Sequence, residues 1–259
     1  MTGNTYSWTV ATVTGLSGYI QSGSGPKIAS TTITNSTNAP LELIYRVVAT
    51  NNGCQSTEHE FKITVNPAPV IADKTPLPIC SGSSFTVTPS NVAGGDIVPT
   101  GTTYTWTIPT PNNNLNASAG SGLTITQNLI NSSNTVQSVT YLVTPSSSIS
   151  GSCGGLPFEV VVTVNPTPVI STQELVICSG DVFDLALLNG TNGDVIPAGT
   201  KYTWTIIPNP RITGTVNQST PQTSLLISQP LTNTGTAVEV ITYQITPTSG
   251  NGCPGASRV

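Results

Sequence analysis

Charge is scarce in this 259-residue chain: Asp, Glu, Lys and Arg together make up 7% of it, against about 25% in an average globular domain. Seven Lys and Arg against eleven Asp and Glu leave a net charge of −4. Too few cations exist to line a nucleic-acid backbone, which excludes DNA and RNA as partners. There is one histidine, His59, in the stretch "TEHEF". On a strand its neighbours Glu58 and Glu60 point to the opposite face, so the three do not converge as a catalytic group. No GxSxG, HExxH or phosphate-binding loop occurs. No catalytic residue is expected, and the chain does not read as an enzyme. No apolar run approaches the ~18 residues that cross a bilayer, and no stretch has the layout of a secretory signal. Met1 leads directly into strand-like sequence, so it reads as the start of an excerpt.

What takes the place of charge is Thr, Ser, Asn, Gly (24) and Pro (21). Thr and Val favour a pleated sheet, and Gly, Pro and Asn favour tight turns. The mixture predicts an all-β chain with many short connections.

Its three tryptophans, Trp8, Trp106 and Trp204, fall at a constant 98-residue interval inside "TYSWTV", "TYTWTI" and "KYTWTI". The echo extends further. "VNPAPVI" (65–71) returns as "VNPTPVI" (164–170), and "ICSG" occurs at 79–82 and 177–180. Tyr45, Tyr141 and Tyr243 each sit in a strand-like run, ten residues after Asn35, Asn131 and Asn233, and each run is followed by a cysteine. A repeat of this length is a whole domain. The predicted domains are 1–66, truncated at its start; 67–165, complete; and 166–259, lacking most of its last strand. Strands are predicted near 70–74, 84–89, 103–108, 122–127, 137–144 and 157–164 of the second repeat. Short strands so spaced signal a β-sandwich. The Trp-to-Asn spacing varies among repeats, which marks that segment as surface loop.

In "TYTWTI" the side chains alternate, so Tyr104, Trp106 and Ile108 share an inward face opposite Thr103, Thr105 and Thr107. Trp8, Trp106, Trp204, Tyr45, Tyr141 and Tyr243 are the expected core, with Trp8 more exposed for want of sheet partners. Pro67, Pro69, Pro166 and Pro168 hold the linkers extended.

The phased set of "CSG" before a strand, "PxGTxYTWT", "VTYxVTP", a late Cys and "VTVNPxP" resembles the Ig-like and PKD-like repeats of giant Bacteroidota surface proteins, above all gliding-motility adhesins of the SprB type. The resemblance covers nearly the whole chain. It implies tandem Ig-like/PKD-like β-sandwiches in an extended array. It also implies a secreted, outer-membrane-associated surface filament exported by the type IX system. The partners implied are neighbouring repeats and, beyond them, surface glycans or the motility machinery.

Five cysteines, an extracellular setting and the absence of zinc-type spacing suggest disulfides. Pairing within each repeat gives Cys80–Cys153 and Cys178–Cys253. A standard sandwich order, however, places early and late cysteines at opposite ends, and the alternative is then Cys80 with Cys253 across the junction. Free thiols are the third possibility, and Cys54 is left single in the truncated first repeat. No cofactor is expected. Asp96 and Asp194, in "GGD" and "NGD", are expected to cap turns, with a structural Ca²⁺ as the alternative. Asp181 and Asp184 occur in the third repeat alone and carry little weight as a site. Sequons, for example at Asn35, Asn116 and Asn189, read as chance in so Asn- and Ser-rich a chain. The variable segments 109–122 and 207–220 hold no aromatic, and their one charge is Arg211. That favours a stalk that spaces a distal region over a module that grips a glycan or protein.

Overall fold

The computed structural model describes residues 4–148, 152–185, 187–223 and 227–259, and every regular element among them is a β-strand. Each repeat is built around one antiparallel pair. The Trp strand (Asn4–Val10, Thr102–Thr107, Lys201–Ile207) lies against the Tyr strand (Leu41–Asn51, Gln137–Ser147, Thr242–Thr248), with Trp8 opposite Val47, Trp106 opposite Val143 and Trp204 opposite Ile245. In the second repeat the Tyr strand also pairs with a closing strand, Phe158–Asn165, which pairs in parallel with Ile79–Cys80. A second sheet joins Ser83–Val87 to Ile125–Leu129. The core lies between the two sheets: Tyr104, Trp106, Tyr141 and Val143 from one meet Phe85, Ile125 and Leu129 from the other. The Phe85 and Tyr141 rings meet at 5.3 Å between centroids, and Phe183 and Tyr243 repeat the contact at 5.1 Å.

The alternation expected of the Trp strand is present: Thr102, Tyr104 and Trp106 are buried while Thr103, Thr105 and Thr107 are exposed. Two strand expectations change. Residues 70–74 form isolated bridges (Val70 to Ile97, Lys74 to Val160) rather than a ladder. The expected strand 122–127 divides into Gly120–Gly122 beside the Trp strand and Ile125–Leu129 in the opposite sheet. The chain thus changes sheets at Leu123 and Thr124, and part of the variable segment is edge strand rather than loop.

Trp8 is not more exposed than the others. Its relative exposure is 6%, against 7% for Trp106 and Trp204. The indole is covered by strands its own repeat supplies, including Ser22–Gly25, where Gly23 lies directly over the ring. Gly120 lies over Trp106 in the same way, and a Cβ there would come within 2.6 Å of Cζ2. Gly120→Val is therefore expected to cost ~1–3 kcal/mol by overpacking, while Ser121→Val on the exposed face should stay within about 0.5 kcal/mol of wild type; urea unfolding compares them.

The third repeat differs at its closing edge. Arg258 bridges Ile245, at the rung where Phe158 faces Val143 in the second repeat, and the chain ends one residue later. Where Val160, Val162 and Val164 fill the second repeat, the third has an open groove of about 870 Å3 lined by Leu175, Ile177, Ile241 and Tyr243 among others. Tyr243 is accordingly half-buried where Tyr141 is fully buried.

Candidate functional site at the repeat junction

The linker prolines do more than stiffen the chain. Pro67, Pro69, Pro166 and Pro168 are all buried. Behind the late cysteine of each of the last two repeats runs a hairpin whose glycine backs onto the first residues of that same repeat. A Cβ on Gly155 would strike the Pro69 carbonyl and the Pro145 ring, and one on Gly255 would strike the Pro168 carbonyl and the Pro247 ring. The late-cysteine hairpin therefore sits at the N-terminal pole of its sandwich.

The early cysteine sits at the other pole. Ser81 N–H donates to the Asn165 carbonyl (2.8 Å), at the last residue of the closing strand, and Thr167 Oγ1 of the next linker donates to the Ser81 carbonyl (3.2 Å). Across the junction Asn251 Nδ2 of the third repeat donates to Asn165 Oδ1 (3.1 Å). There Cys80 and Cys253 form a disulfide, with Cα atoms 5.6 Å apart.

The within-repeat bridges Cys80–Cys153 and Cys178–Cys253 do not form. Cys153 and Cys178 are free thiols, as is Cys54. The reason is the topology: the second and third repeats each carry their early and late cysteines at opposite poles, so each can meet only a neighbour.

Asp96 and Asp194 fasten the start of each repeat. Asp96 Oδ1 accepts the Ala72 N–H (3.0 Å) and Asp194 Oδ1 accepts the Ser171 N–H (2.7 Å), and both carboxylates are buried. This is the capping arrangement. Among the described residues no three His, Cys, Asp or Glu side chains cluster as metal ligands. Asp181 is exposed, and the side chain of Asp184 lies outside the described residues. Lys74 adds an ion pair to Asp96 at 2.6 Å. Burial pushes the Asp96 carboxyl up, but the Ala72 N–H and Lys74 outweigh it and hold it below its usual 3.8. A depressed carboxyl stabilises the fold above its unfolded value and loses that contribution as pH falls through the folded one. The second repeat should therefore weaken on acidification below about pH 4, and Asp96→Asn should flatten that slope in urea titrations.

The recurring asparagines gave no role in the sequence, and the structure supplies one. Asn131 Nδ2 donates to the carbonyls of Thr135 and Val164, and Asn35 Nδ2 to those of Ala39 and Val65. Each ties its own turn to the end of a closing strand. Asn35, one of the sequons, is thus engaged and buried. Asn116 Oδ1 accepts the Ile130 N–H, and Asn189 Oδ1 accepts the Ile196 N–H. Gln127 and Gln229, unmarked in the sequence, accept the hydroxyls of Tyr141 (2.7 Å) and Tyr243 (2.8 Å). Burial pushes the Tyr243 phenol up to about 12 and the Tyr141 phenol higher still. His59 is exposed on its strand, while Glu58 and Glu60 reach Arg46 at 3.7 and 3.5 Å.

The PKD-like domain family matches residues 1–69, 77–168 and 175–258. No curated protein matches the chain. Solved structures that resemble it include human CDH23 EC21-23, at 14% identity over 93% of this chain and 83% of that one, with a TM-score of 0.29. Chicken CNTN1 FN1-FN3 aligns at 10% identity over 99% and 87%, with a TM-score of 0.27. The zebrafish RET cadherin-like domains 1 to 4 align at 10% identity over 96% and 62%, with a TM-score of 0.22. At these scores the alignments carry no argument about how this chain works.

Proposed function

The chain belongs to the PKD-like domain family, in three tandem copies, and from that premise we propose that it is a non-enzymatic, load-bearing segment of an extracellular adhesion-type filament. The observation that carries this reading is the Cys80–Cys253 bridge between successive repeats. Structural disulfides persist in oxidising, extracytoplasmic settings. A bond that spans a junction, in parallel with the peptide linker, gives two domains a second covalent tie against tension. The variable segments support a spacing role over a gripping one. Arg211, their one charge, is paired with Glu239 at 2.9 Å, and Asn112 is bonded to Gln137 and Ser138. Side chains spent on internal contacts are not presented to a ligand. The resemblance of the repeated motifs to those of bacterial surface adhesins fits this reading of a filament at a cell surface.

Protease shaving of intact source cells tests the reading. Release of fragments of this chain, with Cys80 oxidised, is the expected result. Protection until lysis, with all thiols reduced, would place the chain inside the cell and overturn the proposal.

A further inference from the structure

The three unpaired cysteines are equivalent, position by position, to the two that are bonded. The residue after each late cysteine bridges the residue that opens its hairpin: Gln55 to Thr50, Gly154 to Ser146, Pro254 to Thr248. Ser147 N–H donates to the Cys153 carbonyl and Ser249 N–H to the Cys253 carbonyl, both at 2.9 Å. Cys54, Cys153 and Cys253 thus occupy one site on three copies of the hairpin. The early cysteines match as closely. Gly82 N–H donates to the Leu129 carbonyl and Gly180 N–H to the Leu231 carbonyl, both at 2.8 Å. The Ser81 hydroxyl accepts the Asn131 N–H at 2.9 Å, and the Ser179 hydroxyl accepts the Asn233 N–H at 3.0 Å. Cys80 and Cys178 therefore leave their sandwiches at the same C-terminal pole. Where one early and one late cysteine face each other across a junction, they are bonded.

We infer that the bridge is one rung of a ladder: the early cysteine of each repeat bonds the late cysteine of the repeat that follows. Cys178, exposed at the C-terminal pole of the third repeat, is the forward half of a rung and takes the late-cysteine hairpin of another PKD-like repeat of this kind. Cys153 and Cys54 are backward halves that take the early cysteines of preceding repeats. The partner is set by the hairpin, since the thiol must arrive beside a closing strand and linker arranged as Asn165 and Thr167 are. The chemistry is thiol–disulfide exchange. The Cys178 thiolate attacks a small-molecule disulfide such as oxidised glutathione and releases one thiol. The partner thiolate then displaces the second. Two thiols thereby lose two protons and two electrons, and the small disulfide becomes two thiols. The inference rests on the junction reading above.

The test lengthens the chain by one repeat. Residues matching 159–165 are added after Arg258 to complete the closing strand, followed by a second copy of residues 166–259. The product is equilibrated with reduced and oxidised glutathione, blocked with N-ethylmaleimide and mapped without reduction. The expected result is a peptide linking Cys178 to the added copy's counterpart of Cys253, with Cys80–Cys253 intact and Cys54 and Cys153 alkylated. In the same lengthened chain carrying Cys178→Ser, the added late cysteine should be alkylated instead, which also shows that the added repeat does not recruit Cys54 or Cys153. Cys178 alkylated while Cys80–Cys253 forms would overturn the ladder and leave the junction reading standing. Cys80 and Cys178 both alkylated would overturn the two together.

Discussion

Replacing Cys253 by serine is expected to lower the stability of the linked repeats by up to about 5 kcal/mol. The bridge closes a loop across a sequence separation of 173, and the loop-entropy relation assigns about that much to a closure of this length. The loss should take a particular form. Without the bridge the second and third repeats keep their own cores, so the third should unfold at lower urea as a separate transition. The second should stay near its original midpoint. Treating the wild-type chain with a reductant should reproduce the Cys253→Ser profile. Cys54→Ser, at a thiol that is free, should leave the profile unchanged. A Cys253→Ser chain that unfolds like wild type would mean that the bridge does not couple the repeats.

Trp106→Ala should be the most damaging core substitution in the second repeat. The indole is 7% exposed and packed between Gly120 and the Tyr strand. Truncating a buried Trp costs ~3–5 kcal/mol, a large share of the ~5–15 kcal/mol that holds a domain folded. Calorimetry should show the second repeat's transition falling by many degrees while the first repeat's stays in place. Trp106→Phe keeps most of the apolar volume and should lose less.

The fold was legible because a sandwich writes its pattern locally. "TYTWTI" alternates, the alternation sets the buried face, and three copies at one interval set the domain length. The Trp8 expectation failed because it counted missing strands without asking which strands cover the indole. That cover comes from Gly23 and the Tyr strand, both C-terminal to Trp8 in the same repeat. Gly23 and Gly120 fall in the Trp-to-Asn segments of variable length, and only the pairing register shows that they face a ring. The asparagines ten residues before each Tyr were visible as a pattern, but the closing-strand carbonyls that Asn35 and Asn131 bond lie 30 and 33 residues away. The cysteine pairing was the least legible feature. Spacing says that early and late cysteines alternate along the chain. Which of them meet depends on the pole at which each leaves its sandwich, and that is a property of strand topology. The burial of the linker prolines was not legible for a similar reason: Pro fixes its own backbone angle, while the hairpin glycine that backs onto Pro69 or Pro168 lies more than 80 residues further along.

Non-reducing peptide mapping of the oxidised 259-residue chain, with free thiols alkylated before digestion, tests the central claim most directly. The bridged-junction account predicts a peptide joining Cys80 to Cys253 and alkylated Cys54, Cys153 and Cys178. Peptides joining Cys80 to Cys153 and Cys178 to Cys253 would contradict it, because each repeat would then be closed on itself and nothing covalent but the linker would join one to the next.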